Sequence, residues 1–251
     1  MTLILAVKGD DGIAVASDGG VTTGGGWPWL LPPAQKVYTC SNRAAWGGAG
    51  AQGVIQRIKY AFDKKDESDP LWLDAAADPQ QLRQLVSGVV RPVLAEVIGE
   101  HLGDGQPPSA STLFAAVLPF DPCVVAVYGN GSSEVIHGQN AAIGSGTFAA
   151  IAIMKHFADM HPTVRHAAVV AVQGLSLAIQ CMPELTEPIS LALVEGVPNQ
   201  QPTARIVGPE EMQEFRALAE AWQDIQGEVL QEMVQPAPEA EPPGEPPAPP
   251  A

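Results

Sequence analysis

The chain has 251 residues, 46% of them hydrophobic and 16% charged, enough apolar material for one sizeable core in one or two domains. Its 28 acidic residues against 13 basic ones give a net charge of −15, which excludes a nucleic-acid partner because phosphate binding needs a basic face. No stretch supplies the roughly 18 to 20 apolar residues of a membrane span, and Lys8 and Asp10 interrupt Met1 to Gly12 too soon for a secretory signal. No membrane partner and a cytoplasmic location are therefore expected. Cys40, Cys123 and Cys181 lie far apart in apolar surroundings, which predicts buried free thiols in a reducing compartment.

Thr2 to Lys8 and Gly12 to Ser17 are short runs of Ile, Val, Leu and Ala around Gly9-Asp10-Asp11-Gly12, the pattern of a hairpin. Gly19 to Pro33 follows as a loop, because its glycines and prolines cannot continue a strand; Trp27, Trp29, Leu30 and Leu31 make it unusually apolar. Lys36 to Cys40 and Arg43 to Gly47 read as a second strand pair about Ser41-Asn42, ending in Gly47-Gly48-Ala49-Gly50. Val54, Ile55, Ile58 and Phe62 then fall at helical spacing within Gln52 to Lys64. A longer helix over Pro79 to Leu102 carries Leu82, Leu85, Val89, Val90, Val93, Leu94, Val97 and Ile98. Asp66 to Asp78, polar with aromatic interruptions, receives no assignment.

Thr112 to Leu118, Cys123 to Tyr128 and Glu134 to His137 follow as antiparallel strands. Gly144-Ser145-Gly146 leads into an apolar helix, Thr147 to Met160, and Pro162 to Ile179 is another, with its proline near the start where a missing N–H is tolerated. Ile189 to Val194 and Ala204 to Val207 complete the strands. Glu210 to Val234 is an amphipathic helix with Met212, Phe215, Leu218 and Trp222 on one stripe and acids on the other face. From Pro209 onward ten acids accompany the single base Arg216, so nine of the fifteen excess charges lie there. Gln235 to Ala251, almost only Pro, Ala, Glu and Gly, reads as a disordered polyproline-like tail. Strand blocks alternating with helix pairs predict an α+β fold of two stacked antiparallel sheets flanked by helices, a four-layer αββα sandwich. The expected division is 1–208 for this domain, 209–234 for an acidic helix and 235–251 for the tail.

The chemistry concentrates near the start. If Met1 is removed, Thr2 presents a hydroxyl nucleophile and a free α-amine, which titrates near ~8 and can act as a base at neutral pH. Asp18 and Lys36 follow, Lys36 before the small-residue run that ends at Gly50. The five histidines, His101, His137, His156, His161 and His166, show no metal-ligand spacing, so no metal or cofactor is expected.

Three segments resemble proteasome β-subunits and their bacterial HslV-type and Anbu-type relatives, which are N-terminal-nucleophile hydrolases. They are Thr2 to Gly9 with Ala16-Ser-Asp18-Gly, Gln35-Lys36-Val-Tyr with Trp46-Gly-Gly-Ala-Gly50, and Ala142-Ile-Gly-Ser145-Gly146 with Thr163-Val-Arg-His-Ala-Ala. The resemblance implies a threonine endopeptidase acting on proteins or peptides inside a homo-oligomeric ring assembly, fed by an ATP-dependent unfoldase. Thr2 would be the nucleophile, with Lys36 a buried cation lowering the proton affinity on the Thr2 side and Asp18 its partner. The Gly50 N–H would face the oxyanion, and Ser145 would orient the Thr2 amine. The family usually shows an Asp and then a Ser-Gly just before the strand that starts here at Ile189. This chain has Cys181-Met-Pro-Glu184-Leu-Thr186-Glu-Pro instead, with Glu184 and Thr186 both open as substitutes. The loop between Asp18 and Lys36 is also longer than usual. An inactive structural subunit of the same fold, and an amidase for small amides whose pocket is shaped by Trp27 and Trp29, are the competing readings.

Overall fold

The computed structural model describes residues 2–20, 34–102, 105–119, 121–154, 163–196 and 200–234, the side chains of 153 and 226–234 excepted. Trp27, Trp29 and the 235–251 tail, on which expectations were placed, lie outside the described residues, as does the second half of the helix expected over 147–160.

The chain opens with a hairpin of β1 (Leu3–Gly9) and β2 (Gly12–Ser17), in register from Ile4 opposite Ser17 to Gly9 opposite Gly12. Asp10 and Asp11 turn the chain between them. Then come β3 (Val37–Cys40), β4 (Ala44–Gly50), α1 (Gln52–Ser68) and α2 (Pro79–Glu100). A run of four strands follows: β5 (Ala110–Val117), β6 (Pro122–Val127), β7 (Ser133–Ile136) and β8 (Asn140–Gly144). The rest comprises α3 (Thr147–Met154), α4 (Val164–Cys181), β9 (Ser190–Glu195), β10 (Thr203–Ile206) and α5 (Pro209–Val234). One sheet has the order β10-β9-β2-β1-β8 and the other β3-β4-β5-β6-β7, and every neighbouring pair is antiparallel.

Three apolar layers follow from strand periodicity. Leu3, Leu5 and Val7 of β1 point outward to α4, while Ile4 and Ala6 point inward to the second sheet. Buried on both faces, β1 and β2 carry continuous apolar runs rather than alternation. Between the sheets, Ile13, Val15, Leu113, Val124 and Val194 join a layer otherwise rich in alanine. The outer layer under α1 and α2 is aromatic: Trp46 stands 4.6 Å from Tyr38 and 5.1 Å from Phe62, ring centre to ring centre, and Phe62 stands 5.4 Å from Phe114. These layers form the expected four-layer sandwich.

The departures from the sequence reading have local causes. β8 carries no strand signal in its sequence, because Asn-Ala-Ala-Ile-Gly has little strand propensity; pairing along β1, from Leu3 opposite Gly144 to Val7 opposite Asn140, makes it a strand. The unassigned 66–78 segment is organised by Asp66, which accepts the Trp72 indole N–H at 2.6 Å and the Ser41 amide N–H at 2.6 Å. A short 3-10 helix, Trp72–Ala75, buries Trp72 there. On α2 the buried stripe includes Val86 and Ser87, whereas Ile98 is exposed. On α5, Leu218 is 50% exposed and Ala219 takes the buried place beside Phe215, because α4 covers a narrower stripe than expected. α4 meets the length and mean hydropathy of a membrane-spanning helix, which the sequence reading did not anticipate. It packs against β1, β2, α3 and α5, with 61% of its residues buried.

Cys181 also corrects an expectation. It is exposed at the last turn of α4, while Cys40 and Cys123 are buried. Burial pushes the Cys123 thiol up to about 11, and burial together with the Asp66 carboxylate pushes Cys40 up still further. A thiol-reactive chromophore at pH 8 is therefore expected to modify one cysteine of the folded protein, Cys181, and all three in denaturant. Cys123 is expected to react far more slowly, for lack of both thiolate and access; prompt reaction of two thiols in the folded state would contradict the burial.

Candidate active site

Both sheets send chain ends to one rim of the sandwich. There Thr2 immediately precedes β1, Asp18 and Gly20 follow β2, Lys36 precedes β3, Gly50 ends β4 and Gly144 ends β8. A cavity of about 410 Å³ opens at this rim, lined by Thr2, Gly20, Lys36, Gly50, Ser111 and Ser145 among others. The structure thus brings four of the five expected site residues, Thr2, Lys36, Gly50 and Ser145, to the lining of one cavity and sets the fifth, Asp18, directly behind it.

Asp18 is fully buried, and its carboxylate is the organising acceptor. One oxygen takes the Leu3 amide N–H and the Lys36 ammonium, each at 2.9 Å, and the other takes the Gly20 amide N–H at 2.9 Å. A buried carboxylate needs such donors, since losing water without replacement costs several kcal/mol. Lys36 is 2% exposed; burial pulls its ammonium below the ordinary lysine value, and the charge and hydrogen bond of Asp18 oppose that shift. One carboxylate therefore pins the start of β1, the exit of β2 and the entry to β3 around the cavity floor.

The opposite wall approaches through main chain. The Ser145 amide N–H donates to the Thr2 carbonyl oxygen at 3.0 Å, and its hydroxyl lies 3.5 Å from the same oxygen. Ser145 thus holds residue 2 by its carbonyl, where the sequence reading placed it near the amine. Gly144 adopts φ +107°, and a Cβ there would sit 1.9 Å from the Thr2 carbonyl oxygen, so only glycine allows this approach. Gly50, at φ +131°, meets the same limit: a Cβ would lie 2.4 Å from the Ser109 carbonyl oxygen.

The altered 181–188 segment reaches the site by one residue in particular. The Thr186 carbonyl accepts the Gly19 N–H at 2.7 Å, and its hydroxyl oxygen would stand 3.0 Å from a Cβ on Gly20, beside the Asp18 carboxylate. The Glu184 main chain also borders Gly20. Glu187 turns away, its carboxylate accepting the Ile189 N–H and pairing with Arg216 of α5. Spacing alone did not separate Thr186 from Glu184; the separating signal is the backbone bond to Gly19. Among the described residues no group of three or more His, Cys, Asp or Glu could hold a metal ion.

Two antiparallel sheets between helical layers, in this strand order, form the αββα sandwich of the N-terminal-nucleophile hydrolase fold. The family model described as Proteasome subunit matches residues 2–187, and the chain belongs to that family. Among solved structures, the chain is similar to Anbu (ancestral beta-subunit) from Yersinia bercovieri, with TM-score 0.70 and 15% identity over 94% of this chain and 99% of that one. An Anbu (Gly-1) mutant from Hyphomicrobium sp. strain MC1 gives TM-score 0.69 and 15% identity, covering 94% and 100%. At such identity the likeness is one of fold. A search of the curated proteins finds no match.

Removing one partner of the buried pair leaves the other charged and unpaired. Asp18→Asn is expected to destabilise the fold by about 3 to 5 kcal/mol at pH 7. Burial lowers the Lys36 proton affinity, so in the alkaline window up to 10.5 this residue binds fewer protons in the folded chain than in the unfolded one, and its own contribution to stability rises with pH. Without the Asp18 charge, Lys36 sheds its proton earlier. The deficit of Asp18→Asn relative to wild type therefore shrinks between pH 7 and pH 9.5, as read from urea midpoints; a constant deficit would show that the lysine charge is not its source.

Proposed function

We propose that this proteasome-family subunit is a threonine peptidase whose nucleophile is the Thr2 hydroxyl after removal of Met1. The observation that carries the reading is the fully buried Asp18–Lys36 pair at the floor of the cavity that Thr2 lines. The Thr2 hydroxyl adds to the peptide carbonyl carbon while its proton passes, through a water, to the α-amine of the same residue. The positive Lys36 ammonium beneath lowers the cost of forming the alkoxide, and Asp18 fixes its position. The Gly50 N–H is the donor suited to the developing oxyanion, since no side chain stands between its backbone and the substrate. The amine then returns the proton to the leaving nitrogen, and water hydrolyses the resulting ester. Thr186, beside Asp18 and Gly20, is the better of the two open candidates for the missing serine of the family pattern.

Assembly into a homo-oligomeric ring, an ATP-dependent unfoldase as partner, and a cytoplasmic setting belong to the same reading. The family and the Anbu likeness support the first, and three unpaired cysteines suit the last. A second reading, a catalytically silent structural subunit, draws on the altered segment, where Glu187 is committed to Arg216 rather than to the cavity.

Intact mass and amino-terminal sequencing after treatment with an epoxyketone decide between them. The peptidase begins at Thr2 and carries the probe there; the silent subunit keeps Met1 and stays unlabelled. Thr2→Ala is expected to lower hydrolysis of fluorogenic peptides by at least about 10³-fold, leaving only binding and oxyanion stabilisation, with assembly unchanged. Full activity in that variant would end the proposal.

A further inference from the structure

Acids outnumber bases two to one in this chain, and among the described residues most of its cations are accordingly taken up. Lys36, Arg43, Arg57, Lys59, Lys64, Lys65, Arg165, Arg205 and Arg216 each have a carboxylate within ion-pair distance. Lys8 gives its ammonium to the Ile136 carbonyl at 2.6 Å. Arg83 and Arg91 have no carboxylate partner among the described residues, and these two converge on one concavity of about 440 Å³ between α2 and the β6–β7 turn.

The concavity is built from donors. Arg83, Ser87 and Arg91 recur every four residues and so share one face of α2. Arg83 donates through one terminal nitrogen to the Ser133 carbonyl at 3.2 Å, and its Nε is buried with no hydrogen-bond partner. Arg91 donates through Nε to the Gly131 carbonyl at 2.8 Å and through a terminal nitrogen to the Ser133 hydroxyl at 3.2 Å. The hydroxyl of Ser87, 4% exposed, donates to that of Ser133 at 2.9 Å. No Asp or Glu lines the space, and a Cβ at Gly88 would meet nothing within 4 Å. The neutral acceptors hold both guanidinium groups in place without cancelling their charge.

We propose that this concavity is a binding site for an oxyanion, a phosphate or carboxylate group, held between the Arg83 and Arg91 guanidinium groups. Planar guanidinium groups recognise such groups by paired N–H donors, and fixing both in advance removes most of the ordering cost. A bound anion also supplies the countercharge that every other surface arginine among the described residues finds within the chain. The site lies on the outer helical layer, away from the Thr2 cavity, so it stands whether or not Thr2 is catalytic.

The test is isothermal titration of the full chain with pyrophosphate and, separately, with citrate. Saturable binding is expected to at least one, weakening as sodium chloride is raised. Preference for pyrophosphate identifies the ligand class as phosphate, and preference for citrate identifies it as carboxylate. Hydrogen exchange with the bound probe is expected to slow at the α2 and Gly129–Ser133 amides. Arg83→Met with Arg91→Met is expected to weaken binding at least tenfold. Because those changes also release the turn, Gly88→Glu provides the second variant: it places a carboxylate in the open space, leaves the turn contacts intact, and is expected to weaken binding by a similar factor. No binding by either probe, binding that survives Gly88→Glu, or protection confined to other amides would show that the two arginines only staple the turn to the helix.

Discussion

The hydrogen-bonded ion pair between Asp18 and Lys36 is the constraint on which the cavity depends. The two side chains come from different sheets, so the pair forms only when the sandwich is closed, and it cannot be left half made without burying a lone charge. Its geometry propagates outward. Through Leu3 the carboxylate fixes the entry to β1, and with it the position of residue 2; through Gly20 it fixes the exit of β2 along the cavity wall. The glycine at 144 then lets β8 press its main chain onto the Thr2 carbonyl from the other side. The shape of the site is thus decided by backbone and by one buried carboxylate.

Much of this was legible before any coordinates. The hairpin of β1 and β2 is written in two apolar runs around a Gly-Asp-Asp-Gly turn, and the helices α1, α2 and α4 in spacing that only a buried stripe requires. Thr2 and Lys36 stand out by residue type and order along the chain, Gly50 and Ser145 by the resemblance to the proteasome β-subunits, and the fold brings all four to one rim because each stands at a strand or helix boundary there. What was not legible depended on partners distant in sequence. β8 is a strand because β1 lies beside it. The Asp66 network is invisible without the fold that gathers Ser41, Asp66 and Trp72. Cys181 looked buried because its neighbours are apolar, but α4 ends there with its last turn facing outward.

The 181–188 segment shows how a family pattern can be rewritten while its place in the fold is kept. Its backbone still closes the rim, with Thr186 bound to Gly19 and Leu185 buried against the core. Glu187 instead joins Arg216 and so ties the rim to α5. Family membership therefore speaks to the scaffold, and the chemistry of this chain rests on which side chains its own segment presents.

The layer between the two sheets differs from the layers outside them. Half of its sixteen buried residues are alanine and none is aromatic, whereas Trp46, Phe62, Trp72 and Phe114 all lie under α1 and α2. The other half are Ile, Val and Leu, and they key the sheets together: Ile4 of β1 fills the space that a Cβ on Gly47 of β4 would need, since that atom would lie 2.5 Å from the Ile4 Cγ2. Thr2 stands at the head of β1 in one sheet, while Lys36 precedes β3 and Gly50 ends β4 in the other, so the width of the cavity is set by how the two sheets seat on each other. Besides the Asp18–Lys36 pair at the rim, the Lys8 ammonium bonded to the Ile136 carbonyl and the Ala204 N–H bonded to the Asn42 carbonyl cross between the sheets, so the seating that defines the cavity is held at several separate points.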